Sequence, residues 1–170
     1  MKFTTNIKTN ELFQFLLRHS YAGISGKVGL VISLAAAVMF LRGIPDFAGN
    51  ETKMIVLGFL ALLFTVVNPV MLYTRAKKQK LMNPAYKNAM EYELDEEGIK
   101  LYAGGQEGGI PWNRIIRIKE SGSLYMLYTT RINAFLWPKK DMGAREKEIM
   151  DYVLEHIDSK EVQLPKRMRG

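Results

Sequence analysis

MIVLGFLALLFTVVNPVMLYT, residues 54–74, is a run of 21 residues without one ionisable side chain. It is apolar apart from Gly58, Thr65, Asn68, Pro69 and Thr74. At about 1.5 Å of rise per residue such a helix matches the roughly 30 Å hydrocarbon core of a bilayer. A second charge-free run, Val28–Leu41, has 14 residues and is too short alone, but Tyr21–Gly26 upstream are uncharged and small or apolar. Lys27 between them can lay its aliphatic stem along lipid and carry its ammonium to the headgroups. The spacing therefore predicts two transmembrane helices, over about 21–41 and 54–74, joined by a turn at 42–53. A buried hairpin of a soluble bundle would carry a polar stripe at the helical period, and neither run has one. A secretory signal would begin its apolar run earlier and end on a small-x-small site, which Phe40-Leu41-Arg42-Gly43 does not offer. The first run is read as a retained anchor.

These two runs change the meaning of the averages. The chain has 170 residues, 48% of them hydrophobic, 24 Lys and Arg against 17 Asp and Glu, and a net charge of +7. Its mean hydropathy of −0.08 is the sum of a membrane portion and a polar one. Residues 1–27 hold four basic groups against Glu11, residues 42–53 two against two, and residues 75–87 five against none. Residues 88–158 hold nine against thirteen, and 159–170 four against one. Lys and Arg flank the two spans on the side of both termini, so both termini are expected in the cytoplasm, with the chain integral to the plasma membrane and the 42–53 turn outside. The absence of cysteine excludes disulfides, thiolate chemistry and cysteine metal sites.

Arg75, Lys77, Lys78 and Lys80 lie in a basic juxtamembrane linker, 75–87. Each is worth about 1 kcal/mol against an anionic leaflet, so anionic lipid headgroups are the expected partner. A strap held against lipid leaves no room for a duplex, and no nucleic acid is expected. Pro69 is expected to kink the second helix. Asn68, the one strongly polar side chain of the spans, is expected to hydrogen-bond to the other helix or to a second copy, which would make a homo-oligomer.

From residue 88 the pattern becomes that of short strands at Ala89–Asp95, Ile99–Ala103, Ile110–Trp112, Ile115–Glu120, Leu124–Thr129 and Ile132–Trp137, with GGQEGG at 104–109 as a flexible hairpin loop. Tyr92, Leu94, Ile99 and Leu101 alternate with polar residues, as half-buried antiparallel strands do. Ile149, Val153 and Ile157 recur every four residues and mark a final helix. Phe3, Thr5 and Ile7 alternate like an edge strand, and a helix over about 11–19 follows, capped by Thr9 or Asn10. The whole is an α+β membrane protein. Residues 1–20 form a strand and an interfacial helix and 21–74 a transmembrane hairpin. The linker 75–87 leads to a domain at 88–158, a small antiparallel β-barrel or curved sheet closed by a C-terminal helix, and 159–170 are a basic tail.

Ile110-Pro111-Trp112, then Ile115, Ile118 and Glu120, Leu124-Tyr125-Met126-Leu127-Tyr128, and Phe135-Leu136-Trp137-Pro138-Lys139-Lys140 resemble the C-terminal domain of the YcxB-like bacterial membrane proteins. The resemblance implies two transmembrane helices and a pleckstrin-homology-like (PH-like) domain, and it brings no catalytic residue. Asn113 and Arg114 stand where the family often has a small polar residue and an acid.

No constellation for chemistry is read in the chain. His19 and His156, the only histidines, are read as surface residues without a partner at ligand spacing. Glu91, Glu93 and Asp95 alternate onto one solvent face with Glu96 and Glu97 beyond, so neither metal nor cofactor is expected. Gly104–Gly109 lacks the lysine and hydroxyl of a phosphate loop and leads into no helix. In a PH-like domain the first hairpin would bind inositol phosphates with basic groups, and Glu96-Glu97-Gly98 has the wrong sign. Arg114, Arg117, Lys119, Arg131, Lys139 and Lys140, with Lys166, Arg167 and Arg169, are the groups expected to meet an anionic leaflet or a partner. Pro111, Trp112, Trp137 and Pro138 are read as structural, with Trp112 packed in the core and Trp137 either in the core, the favoured reading, or on a recognition edge beside Pro138-Lys139-Lys140. The reading is a non-catalytic, membrane-anchored PH-like module for protein or membrane-surface binding. Its alternative is an oligomeric accessory or regulatory subunit of a transporter or small channel.

Overall fold

The computed structural model describes residues 1–158, 160 and 162–168, other than the side chains of Asp46, Pro84, Ala85 and Arg167. It divides into a helical unit, Leu12–Lys78, and a β-rich unit formed by Met1–Glu11 with Gln79–Gly170.

Helix α1 (Thr9–Ala22) opens with the Lys8 N–H donating to Glu11 Oε2 at 2.6 Å, the returning half of a capping box. Gly23 takes an extended conformation and interrupts the helix, and α2 (Ile24–Gly43) follows. Tyr21 and Ala22, predicted to begin the first span, therefore belong to α1, because a glycine gives the helix little reason to continue. The second apolar helix is longer than its charge-free run. α3 (Glu51–Leu62), a π-helical segment at Leu63–Val67 and α4 (Asn68–Met82) form one helix of 32 residues. Both α2 and this helix are long and apolar enough to cross a membrane.

α2 turns Gly26, Gly29, Ser33 and Ala36 inward, a stripe of small residues of the kind that lets helix backbones approach closely. A Cβ on Gly29 would lie 2.3 Å from the Phe64 ring, so the ring occupies the space a side chain would need.

Just before Pro69, where a kink was expected, the helix widens into the π segment. Proline has no N–H, and its ring collides with the carbonyl four residues back; widening the turn answers both. The Asn68 N–H reaches the Leu63 carbonyl, and the Ser33 hydroxyl enters the ladder, donating to Leu60 O at 2.8 Å and accepting the Phe64 N–H at 3.2 Å. The Phe64 carbonyl, which would look five residues ahead to Pro69, accepts the Tyr21 hydroxyl instead. Asn68 Nδ2 donates to that hydroxyl at 3.1 Å and to Ser20 Oγ at 3.4 Å. The amide expected to reach another helix or another copy is thus used on the last turn of α1.

The short α5 (Pro84–Lys87) leads into six strands, which join the N-terminal one, so that the described residues hold seven. β1 (Lys2–Thr5), β2 (Met90–Leu94), β3 (Gly98–Ala103) and β4 (Gln106–Pro111) form one antiparallel sheet in that order. β5 (Arg117–Ser121), β6 (Leu124–Tyr128) and β7 (Ala134–Pro138) form a second. The N-terminal strand lies on the edge of the first sheet, Phe3 opposite Tyr92 and Thr5 opposite Met90. The barrel expected from the sequence is not closed. Pro111 brings no N–H to the ladder and Trp112–Arg114 make a 3₁₀ turn, so the strand expected at Ile110–Trp112 stops and the chain leaves the first sheet. The glycine-rich stretch is also more ordered than expected. Only Gly104 and Gly105 turn, at φ +56° and +80°, which glycine alone adopts readily, and Gln106–Gly109 pair with β3.

Two helices complete the unit, the short α6 (Lys139–Met142) and α7 (Glu146–His156). Ile149, Met150 and Val153 of α7 join Phe3, Tyr92, Leu94, Ile99, Trp112 and Trp137 in one core. Val162 and Leu164 are buried in it too, and the Gln163 carbonyl accepts the Ile118 N–H at 2.9 Å. The segment read as a basic tail is thus partly core, an apolar pair too short to register as a pattern. Arg169 lies outside the described residues.

Candidate functional site

Pro111 ends β4 and sets the turn that carries Trp112 into the core, where its indole N–H donates to Asp95 O at 2.9 Å. Trp137, on β7, is fully buried, with Phe3 edge-on at 5.0 Å and Tyr92 at 5.4 Å between ring centroids. Pro138 closes β7 opposite Leu124. These residues, with β5 and β6 between them, make the stretch from β2 to α7 one continuous structural unit. Residues 94–154 match the family model described as YcxB-like protein. The match begins at the end of β2 and ends within α7, so both apolar helices lie outside it. No curated protein and no solved structure matches the chain.

The matched segment sorts its basic residues into used and unused. Lys139 is engaged within the domain, 2.5 Å from Glu120, 3.8 Å from Glu146 and over the Tyr125 ring at 5.0 Å. Lys140 lies 2.5 Å from the buried Glu11 carboxylate, and breaking such a pair would strand a buried charge. Arg117 lies over the Tyr128 ring at 4.1 Å, and Lys119 is 5.9 Å from the same ring. Lys139, Lys140 and Arg117, expected at a lipid or partner surface, thus serve the fold first. Arg114 and Arg131 are exposed. Outside the segment, Arg75, Lys77 and Lys78 are exposed on α4, a helix where a linker was expected, while Lys80 Nζ donates to the Tyr86 carbonyl and, at 3.3 Å, to Asn6 Oδ1.

Two members of the acidic run, Glu93 and Asp95, are held by lysines. Lys2 lies 3.1 Å from Glu93 and Lys100 2.7 Å from Asp95; the hydrogen bond from Lys2 lowers the Glu93 pKa and that from Lys100 the Asp95 pKa. Among the described residues no three His, Asp or Glu side chains are grouped to hold a metal ion. His156 is a packing residue, its ring 4.2 Å from Tyr152 and 5.5 Å from Trp112, where the sequence suggested a surface position.

A cavity of about 310 Å³ opens between the first sheet and β7, lined among others by Tyr86, Tyr92, Leu101, Glu107, Phe135 and Leu136. It lies where a closed barrel would have filled the space with side chains. The Tyr92 hydroxyl, the Thr5 hydroxyl and the Trp137 N–H are buried near it and near one another, yet none has a hydrogen-bond partner in alignment. Burial pushes the Tyr92 pKa far above the usual phenol range, which keeps it neutral. Apolar side chains make up most of the lining, which also includes Gln106 and Glu107.

Sequence reasoning missed two side chains, Ile116 and Ile132. Of the large hydrophobic residues with substantial exposure, all but these two lie within residues 24–82. The signal for one of them was available: Ile115 and Ile116 are adjacent, and neighbouring residues of an extended chain point to opposite faces.

Proposed function

We propose that this chain is a membrane-anchored module, PH-like in its β-rich unit, that binds the bilayer surface or a protein partner on the cytoplasmic side and carries no catalysis. The observation that carries this reading is the distribution of exposed apolar side chains. Ile24 is 83% exposed, Ile55 67%, Val31 65% and Phe59 61%, along helices whose length fits a bilayer. Soluble proteins do not leave a contiguous apolar surface of this kind in water.

Four strands followed by three and a C-terminal helix support the PH-like description. Exposed Arg75, Lys77 and Lys78, next to the end of the apolar run, support a cytoplasmic placement of both termini. The cleft supports a protein partner that inserts an apolar side chain. Asn68, engaged by Ser20 and Tyr21, no longer favours a ring of copies, so the accessory-subunit reading loses its main support. Alkaline carbonate extraction of membranes from cells expressing the chain tests the anchor. The protein is expected to stay with the bilayer fraction, and quantitative release into the supernatant would contradict it.

A further inference from the structure

Ile116 is 44% and Ile132 64% exposed, and the two strand ends that carry them are adjacent. Arg117 pairs with Tyr128 and Tyr128 with Ala134, so Ile116, just before β5, stands beside the Thr129–Asn133 loop that joins β6 to β7. The Ile116 N–H donates to Tyr128 O at 2.9 Å, tying the two together. The loop is closed by the Thr129 N–H donating to Asn133 O at 3.0 Å and the Asn133 N–H to Thr130 Oγ1 at 2.9 Å, which holds Ile132 out on a short, fixed turn. Arg114 lies two residues before Ile116 and Arg131 one before Ile132. Both arginines are exposed, and among the described residues neither makes an ion pair. Neither 112–116 nor 129–133 contains an acidic residue.

We infer that this end of the second sheet is a lipid-contact edge, in which Ile116 and Ile132 enter the headgroup region of an anionic leaflet and Arg114 and Arg131 pair with its phosphates. The inference rests on the proposed anchoring, since a tethered domain meets a bilayer at high local concentration. Apolar tips flanked by exposed cations match an anionic interface in both chemistry and sign. A protein surface would have to offer an apolar depression ringed by acids to do the same.

The absence of cysteine allows a direct test on the full chain reconstituted into phosphatidylcholine vesicles with or without phosphatidylglycerol. Ile132→Cys and, separately, Ile55→Cys are labelled with an environment-sensitive fluorophore, and quenching by brominated acyl chains is measured. The Ile132 probe is expected to be quenched in anionic vesicles and to emit as in water in neutral ones. Arg114→Gln with Arg131→Gln is expected to weaken this contact roughly 25-fold, at about fivefold per arginine. The Ile55 probe is expected to be quenched in every vesicle. A water-like Ile132 probe in anionic vesicles, with Ile55 quenched, overturns this inference and leaves the anchor standing. An Ile132 probe shielded from water but untouched by brominated lipid overturns it in favour of a protein contact. An unquenched Ile55 probe overturns the anchor itself.

Discussion

Trp137→Ala is expected to destabilise the β-rich unit by about 3–5 kcal/mol, the range for truncating a fully buried large aromatic. Trp137 is completely shielded from solvent and holds together three elements far apart in sequence, through Phe3 of β1, Tyr92 of β2 and its own strand β7. The cavity left behind would abut the existing cleft, and flanking strands pinned by ladder hydrogen bonds cannot collapse into it. Trp137→Phe is expected to cost much less than the alanine change, because it keeps most of the ring contacts and removes an indole N–H that has no aligned partner. Urea unfolding of the detergent-solubilised chain, followed by Trp112 fluorescence, measures both. Equal losses for the two variants would mean that the ring's packing is not what the core depends on.

Removing residues 2–8 is expected to have an effect of the same order, because it takes away an entire strand. Four residue pairs join β1 to β2, Phe3 stacks on Tyr92 at 5.3 Å, and Phe3, Thr5 and Ile7 are buried. Burying two large apolar side chains is worth about 3–6 kcal/mol, a large share of the 5–15 kcal/mol that stabilises an ordinary domain. Deletion also bares the β2 edge, inviting edge-to-edge association. Both tryptophans lie in this unit, so intrinsic fluorescence reads its melting without interference from the helices. A steep drop in Tm is expected, and an unchanged Tm would show that β1 is dispensable.

The apolar helices were legible because lipid imposes a one-dimensional rule: a window of sufficient length without charge. The alternation of Phe3, Thr5 and Ile7 and of Tyr92 and Leu94 likewise identified strands, since period two is written locally. What failed to show depends on distance in the chain. Nothing around Lys140 announces that its partner is Glu11, and nothing around Lys139 points to Glu120, so both read as free surface cations. The π segment needed Ser33 and Tyr21, brought in from other helices to meet groups that Pro69 left unmatched. The split into two sheets falls at a single 3₁₀ turn after Pro111, where a regular strand would have continued. Of the residues expected at a lipid surface, Arg75, Lys77, Lys78, Arg114 and Arg131 are among those that keep the exposure such contact requires.

The proposed anchoring requires two helices that cross a bilayer, with the 42–53 turn outside and the β-rich unit in the cytoplasm. Single cysteines at two exposed positions, Ala48→Cys in the turn and Glu97→Cys in the β2–β3 connection, can be challenged with a membrane-impermeant maleimide. In intact cells Ala48→Cys is expected to label and Glu97→Cys to label only after permeabilisation. Labelling of both positions from the same side would contradict the account.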